Sequence, residues 1–283
     1  MKRHFLLSLT ALMAASCTDT DTENLNNTPQ ASDHALKSVT TYWQASANVL
    51  EFKDNQIIRE TFLNGSVPDG YIDFTYNQFG QLFAQVHKDR NGEVVFERSL
   101  SYDTQGRLIA KNDAYYNGVQ MDTITEDVVF LYDDVNNTVF ADYSPTEGSP
   151  ADRTFHFNTA GLLSYIDIEG SDQVLQYDGN NIININGLQF NCNYQYDSQA
   201  EVKGEYLNRY RNSFSTYQNF ILYGISSPYS YSDKYLVNVD DTGVVGDFNF
   251  TYQFNQNGYP VEVHQVPVNG VTEAEVKIVI EYY

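Results

Sequence analysis

Two cysteines in 283 residues leave no room for a disulfide framework. One of them, Cys17, closes a leader-like stretch. Cys192 therefore stands alone and reads as a buried thiol that packs as a small hydrophobe. Bases are scarce as well, 16 Lys and Arg against 37 Asp and Glu, for a formal charge of −21. That balance disfavours nucleic acid and anionic membrane surfaces as partners, and its plain consequence is solubility. There is no Gly-x-Ser-x-Gly elbow, no phosphate loop and no dinucleotide fingerprint. The histidines show no His-x-His or His-Glu-x-x-His spacing; His87, His156 and His264 are scattered over expected strands, so no metal is assigned. The adjacent acids Asp133-Asp134 and Asp240-Asp241 do not form a glycosidase pair. Strand neighbours point to opposite faces and cannot flank one bond, so both pairs read as turn residues. No catalytic residue and no cofactor emerge.

What the chain has in quantity is aromatic side chains, with 23 Tyr and 17 Phe beside a single Trp. Aromatics pack well on a pleated, half-buried surface, which favours strands. They recur in a pattern: aromatic, Asn or Asp, two residues, Gly, one residue, apolar. Clean copies are Tyr76-Asn77-Gln78-Phe79-Gly80-Gln81-Leu82, Tyr102-Asp103-Thr104-Gln105-Gly106-Arg107-Leu108, Phe157 through Leu163 and Phe254 through Pro260. Degenerate copies lie at Tyr132-Asp133, Tyr177-Asp178 and Tyr196-Asp197. A repeat fixes architecture before anything else does. Asn or Asp with Gly supplies the positive φ that hairpin turns need. Between turns, apolar and polar residues alternate, as in Ile72, Phe74, Tyr76 against Tyr71, Asp73, Thr75. Phe248, Phe250, Tyr252 and Phe254 make another apolar row, and Val276, Ile278, Ile280 and Tyr282 a third. Arg98 intrudes on the apolar row of Phe96, Leu100 and Tyr102.

Each repeat interval holds two strands and two turns, which predicts roughly 14 to 18 strands in an antiparallel meander. A sheet that wide curls, splits or closes. The expectation is one all-β domain over residues 36–283, a strongly curved antiparallel meander, open or closed into a barrel-like sheet. The rhythm breaks between Tyr196 and Phe254. There, Phe214, Tyr217, Phe220 and Ile221 at helical spacing, with Ser213 as cap and Gly224 as stop, predict one short helix and a following loop, an insertion over about 213–232.

At the other end, Lys2, Arg3 and His4 precede an apolar run from Phe5 to Ala15, too short to span a bilayer. The run ends Ala14-Ala15-Ser16-Cys17, small residues before a cysteine. Residues 1–16 then read as a lipoprotein signal, Cys17 as the lipidated residue that anchors the chain to a membrane, and 17–35 as a flexible acidic tether. Without the signal the chain carries 14 bases against 37 acids.

The repeats resemble YD repeats, the Tyr-Asp hairpin units of RHS-type proteins. Together with the lipoprotein signal and the final third of the chain, the whole resembles a family of Bacteroidota lipoproteins of unknown function with a porin-like meander of strands. The resemblance implies an outer-membrane lipoprotein on the cell surface or the periplasmic face, and it carries no catalytic residues to transfer. A membrane-spanning barrel is the rival architecture, although a lipid anchor would then be redundant and Arg98 breaks an apolar row. The remaining functional signal is tyrosine: Tyr115, Tyr116, Tyr206, Tyr210, Tyr217, Tyr223, Tyr229 and Tyr231 include several outside the repeat rows, and Tyr206, Tyr210, Tyr229 and Tyr231 are the candidate ligand contacts. Exposed aromatics beside Asn and Asp stack on sugar rings or anchor a protein partner. The expected function is a non-enzymatic module that binds a glycan or an envelope protein. An enzyme acting on envelope polymers, or a structural part of an outer-membrane complex, are the alternatives.

Overall fold

The structure is a computed structural model that describes residues 35–54, 56–116, 124–143, 151–187, 191–201, 234–241, 247–268 and 275–283. Every regular element among these is a strand. They form nine hairpins. The first three are β1 (Leu36–Trp43) with β2 (Ser46–Lys53), β3 (Gln56–Asn64) with β4 (Val67–Tyr76), and β5 (Leu82–Asp89) with β6 (Val94–Tyr102). Next come β7 (Leu108–Tyr115) with β8 (Ile124–Asp133), β9 (Thr138–Tyr143) with β10 (Arg153–Phe157), and β11 (Leu163–Ile168) with β12 (Gln173–Asp178). The last are β13 (Asn181–Gly187) with β14 (Asn191–Glu201), β15 (Lys234–Asp241) with β16 (Phe248–Phe254), and β17 (Pro260–Pro267) with β18 (Val276–Tyr282).

Each strand pairs antiparallel with its neighbours in sequence, and β1 pairs with both β2 and β18. The meander is therefore a closed 18-stranded barrel, which leaves no edge strand open to association. The predicted helix at Ser213 to Gly224 and its loop lie outside the described residues.

Even-numbered strands end, and odd-numbered strands begin, at the same end of the barrel. The turns there use the repeat's own chemistry. In the turn after β6, the Asp103 carboxylate accepts from the backbone N–H groups of Gln105 and Arg107, both at 2.9 Å. Gly106 takes a φ of 79°, which a residue with a Cβ rarely adopts. Asn77, Asn158 and Asn255 hold their turns the same way.

The aromatic that precedes each turn has a second task. Seven of the even-numbered strands carry a tyrosine whose hydroxyl donates to a carbonyl at the start of the preceding odd-numbered strand. The pairs are Tyr76 to Ile57, Tyr102 to Leu82, Tyr132 to Leu108 and Tyr177 to Leu163, then Tyr196 to Ile182, Tyr252 to Leu236 and Tyr282 to Pro260. The reason lies one strand back. Where β4 meets β5 the register steps from Tyr76↔Leu82 to Thr75↔Ala84, so Phe83 is an extra residue on β5. Such a bulge disrupts the ladder locally, and the Tyr102 phenol satisfies the Leu82 carbonyl beside it at 2.6 Å. Equivalent register shifts occur on β3, β7, β11, β13, β15 and β17, the strands whose carbonyls receive a phenol. Where β8 meets β9 the register Tyr132↔Val139, Asp133↔Thr138 runs on unbroken, and the next aromatic is Phe157, which has no hydroxyl to give. The degenerate copies at Tyr132, Tyr177 and Tyr196 thus keep the bond, while the clean copy at Phe157 lacks it. In the clean copy at Phe254, the bonding residue is Tyr252. Phe254 itself, expected on the apolar face, is 47 % exposed against the rings of Tyr235 and Tyr252.

The buried face of the sheet is its inner wall. Leu36, Ile57, Leu82, Leu108, Leu163, Ile182 and Leu236, all from starts of odd-numbered strands, are 0 % exposed. The outer face alternates with it and carries Glu51, Asp127, Asp142, Asp167, Asn249 and Glu281, all exposed. A lipid-facing barrel needs an apolar outer band, because each charge at the bilayer midplane costs roughly 2–4 kcal/mol. This outer face sets those polar groups among exposed Val95, Val129, Leu131, Val174 and Val266. Asp240 and Asp241, expected in a turn, are the last residues of β15 and pair with Asn193 and Cys192 of β14.

Candidate functional site

Away from the apolar end, the inner wall of β2 to β10 turns polar. Registers place Arg98 of β6 opposite Asp113 of β7, and Asp113 opposite Glu126 of β8, all pointing inward. Arg98 grips Asp113 with two parallel bonds, Nε to Oδ1 and Nη2 to Oδ2, both 2.7 Å. Lys111 donates to the same carboxylate at 2.9 Å and to Glu126 at 2.7 Å. The Asp113 side chain is 1 % exposed. Burial pushes its carboxyl upward, but Arg98 and then Lys111 outweigh that and hold it below the usual carboxylate range. Asp113 is thus an ionised structural anchor and not a general acid. Arg98, the intruder in the sequence pattern, is one half of a buried pair.

Beside this pair lies a cavity of about 310 Å³ lined by Glu60, Ile72, Phe74, Gln85, His87, Phe96, Arg98 and Tyr115. Its aromatic side is a row of three rings. His87 meets Phe96 edge-on at 4.6 Å, and Phe96 meets Tyr115 at 4.8 Å. Burial, reinforced by the nearby Arg98 charge, lowers His87 to about 4, so its imidazole is neutral at pH 7. Also in the lining, Gln85 is buried and Glu60 accepts a hydrogen bond from Asn48 Nδ2. Tyr115 is 43 % exposed. Planar rings beside amide, carboxylate and guanidinium groups offer both faces and edges to a polar ligand.

Of the residues singled out from sequence, Tyr115 lines this cavity, whereas Tyr116 points its hydroxyl to Glu97, 2.6 Å away. Cys17, Tyr206, Tyr210, Tyr229 and Tyr231 lie outside the described residues. Cys192 is buried and is in no disulfide. The three strand histidines do not converge. His87 is in the cavity, and His156 packs on Tyr165 at 5.1 Å between neighbouring strands. His264 sits between Glu275 and Glu262, which raise its pKa, while Lys277 holds Glu262 at 2.5 Å. Among the described residues no cluster of His, Cys, Asp and Glu has the makings of a metal site.

Gln85, Lys111, Asp113 and Glu126 escaped sequence reading. Their signal was parity: each is a polar residue at an inward position of its strand. A second cavity, of about 250 Å³, lies at the bulge-free junction of β8 and β9, between Arg107, Tyr132, Thr138 and Phe157. Arg107 covers the Tyr132 ring there at 4.5 Å and is neutralised by Asp103 and Asp134.

No family model and no curated protein matches this chain. Solved structures do. A porin-like protein from Bacteroides uniformis ATCC 8492 is 9% identical over 89% of this chain and 98% of its own, with a TM-score of 0.46. A porin-like protein from Bacteroides vulgatus ATCC 8482 is 13% identical over 89% and 99%, with a TM-score of 0.45. The TcdB2-TccC3 structure without its hypervariable C-terminal region is 11% identical over 84% of this chain and 14% of that one, with a TM-score of 0.30.

Proposed function

We propose that this protein is a lipid-anchored envelope module that binds a glycan on its inner wall without transforming it. The observation that carries the reading is the cavity of about 310 Å³, which Phe96, Tyr115 and a neutral His87 line together with Gln85, Glu60 and Arg98. Aromatic faces take the apolar side of a sugar ring, and the fixed polar groups take its hydroxyls. Two acids near the cavity are committed to structural bonds: Asp113 is clamped by Arg98 and Lys111, and Glu126 accepts from Lys111.

The anchor is assigned to Cys17 and the location to the outer membrane, at the cell surface or facing the periplasm. The YD-like repeat serves here as a scaffold: its turns join the hairpins that carry the polar wall.

The test is calorimetric titration of the full chain with envelope and dietary polysaccharides, beside a pull-down from outer-membrane extract. A saturable glycan interaction that weakens at least tenfold in Tyr115→Ala is expected. Tyr115 is exposed enough for that substitution to leave the barrel intact. A protein captured with no glycan bound, or binding that ignores Tyr115→Ala, would sink the glycan reading. Replacing Cys17 with Ser should release the protein from membranes and abolish acyl labelling.

A further inference from the structure

Among the described residues, the inner wall beyond the Arg98 pair holds one arginine with no carboxylate partner. Arg153 of β10 lies opposite Ala141 of β9 and Ile168 of β11, on the same face as Phe155, which is 1 % exposed. Its guanidinium carbon sits 5.4 Å from the centre of the Tyr143 ring, and Lys111 Nζ is 5.9 Å from the same ring. Tyr143 is itself buried. The other arginines on described strands are paired: Arg59 with Asp73 and Arg98 with Asp113. Arg107, in a turn, has Asp103 and Asp134. No described carboxylate pairs with Arg153, and its Nε is a buried donor with no acceptor.

In a chain with 37 acids, supplying a partner would have been easy. A guanidinium edge left unsatisfied is costly to the free protein, and its fork geometry suits a carboxylate or sulfate held by two parallel bonds. Two acids of this wall, Asp113 and Glu126, are already held by Arg98 and Lys111. Asp152, next to Arg153 in sequence, accepts instead from the Tyr143 backbone N–H at 2.9 Å. The charge of the outer face acts weakly here, because at physiological salt the field of an exposed charge is screened over about 8 Å.

We infer that Arg153, seated on Tyr143 beside Lys111, is the anion subsite of the inner wall and selects glycans that carry an acid group. This deepens the proposed glycan binding and rests on it.

The test uses the full chain and oligosaccharides ending in glucuronate or galacturonate, each beside its carboxyl methyl ester. Esterification removes the charge and leaves the sugar skeleton. At least one acid should bind ten or more times tighter than its ester, and the preference should shrink as salt is raised. Arg153→Gln should abolish the preference while leaving Tm unchanged or higher, because the unsatisfied donor is gone; Arg153→Lys should restore part of it. Acid and ester bound equally would overturn the subsite and leave glycan binding standing. No binding of either would overturn both. A preference that survives Arg153→Gln, or a fall in Tm with no change in preference, would make Arg153 a structural residue and end the proposal.

Discussion

Truncating Asp113 to Ala should be among the most damaging single changes on the inner wall. The carboxylate is 1 % exposed and receives three bonds of 2.7 to 2.9 Å from Arg98 and Lys111, whose side chains are only 13 % and 9 % exposed. Removing it strands two cations away from water. Breaking a buried pair by deleting one partner costs about 3–5 kcal/mol, and for a domain of this size that is roughly 6–20 °C in Tm. Lys111 keeps Glu126, which places the loss toward the lower figure. The comparison that isolates the cause is the double variant Arg98→Met with Asp113→Leu. It removes both desolvated charges and fills their volume, and should fall within about 2 kcal/mol of the parent. Equilibrium urea denaturation at pH 7 measures both. The acid limb adds a check of sign. Asp113 has a lowered folded pKa, so its stabilisation is present above the ordinary carboxylate value and is lost as pH falls through the folded one. The gap between parent and Asp113→Ala should therefore narrow as pH is taken from 5 toward 2. An Asp113→Ala variant within about 1 kcal/mol of the parent, or a gap that stays constant with pH, would refute the electrostatic account.

Tyr102→Phe leaves the carbonyl beside a bulge without its donor and should cost about 1–2 kcal/mol in the same assay, whereas Phe157→Tyr, at the junction with no bulge, should give no gain. Equal effects would break the link between bulge and phenol. His87 has its folded pKa lowered from 6.5 to about 4, so its stabilisation is complete above pH 6.5 and declines as pH falls toward 4, by up to about 3 kcal/mol. Stability measured across that window should flatten in His87→Gln; an unchanged slope would assign the dependence elsewhere. Gly70 faces the Lys88 carbonyl so closely that an added Cβ would lie 2.7 Å from the oxygen. Gly70→Ala should therefore cost about 1–3 kcal/mol through forced strand displacement, checked by thermal denaturation.

The hairpins were legible because their causes are local. Asn77 to Gly80 and Asp103 to Gly106 announce turns within five residues, and the alternation around Phe74 or Ile278 needs no knowledge of distant strands. Strand number followed from spacing alone. Closure was left open because it depends on Leu36 meeting Tyr282, a pairing that no local signal encodes. The tyrosine bond was invisible for a related reason. Phe254 fits the motif better than Tyr252, but the hydroxyl that reaches Leu236 belongs to Tyr252. Arg98 stood out as an anomaly, yet its meaning needed Asp113 from the next strand, and register decides that. The cavity draws on residues from Glu60 to Tyr115 across five strands, and only Tyr115 among them belonged to the tyrosine signal.

The pairing of β1 with β18 makes the arrangement circular. Tyr283 donates its backbone N–H to the Ala35 carbonyl at 3.0 Å and its hydroxyl to the Phe52 carbonyl at 3.0 Å, so the two ends of the barrel are stitched as closely as any internal turn. A ring of nine hairpins has no intrinsic first member. Joining Tyr283 to Ala35 through a short linker and opening the chain between β7 and β8 would preserve all eighteen ladders while changing the order in which they are made. In the natural order the seam is the longest loop to close, and its entropy grows only as the logarithm of length. Because β18 follows the other seventeen strands along the chain, β1 gains its second partner only when β18 has been made, and until then the barrel is an open sheet with two bare edges.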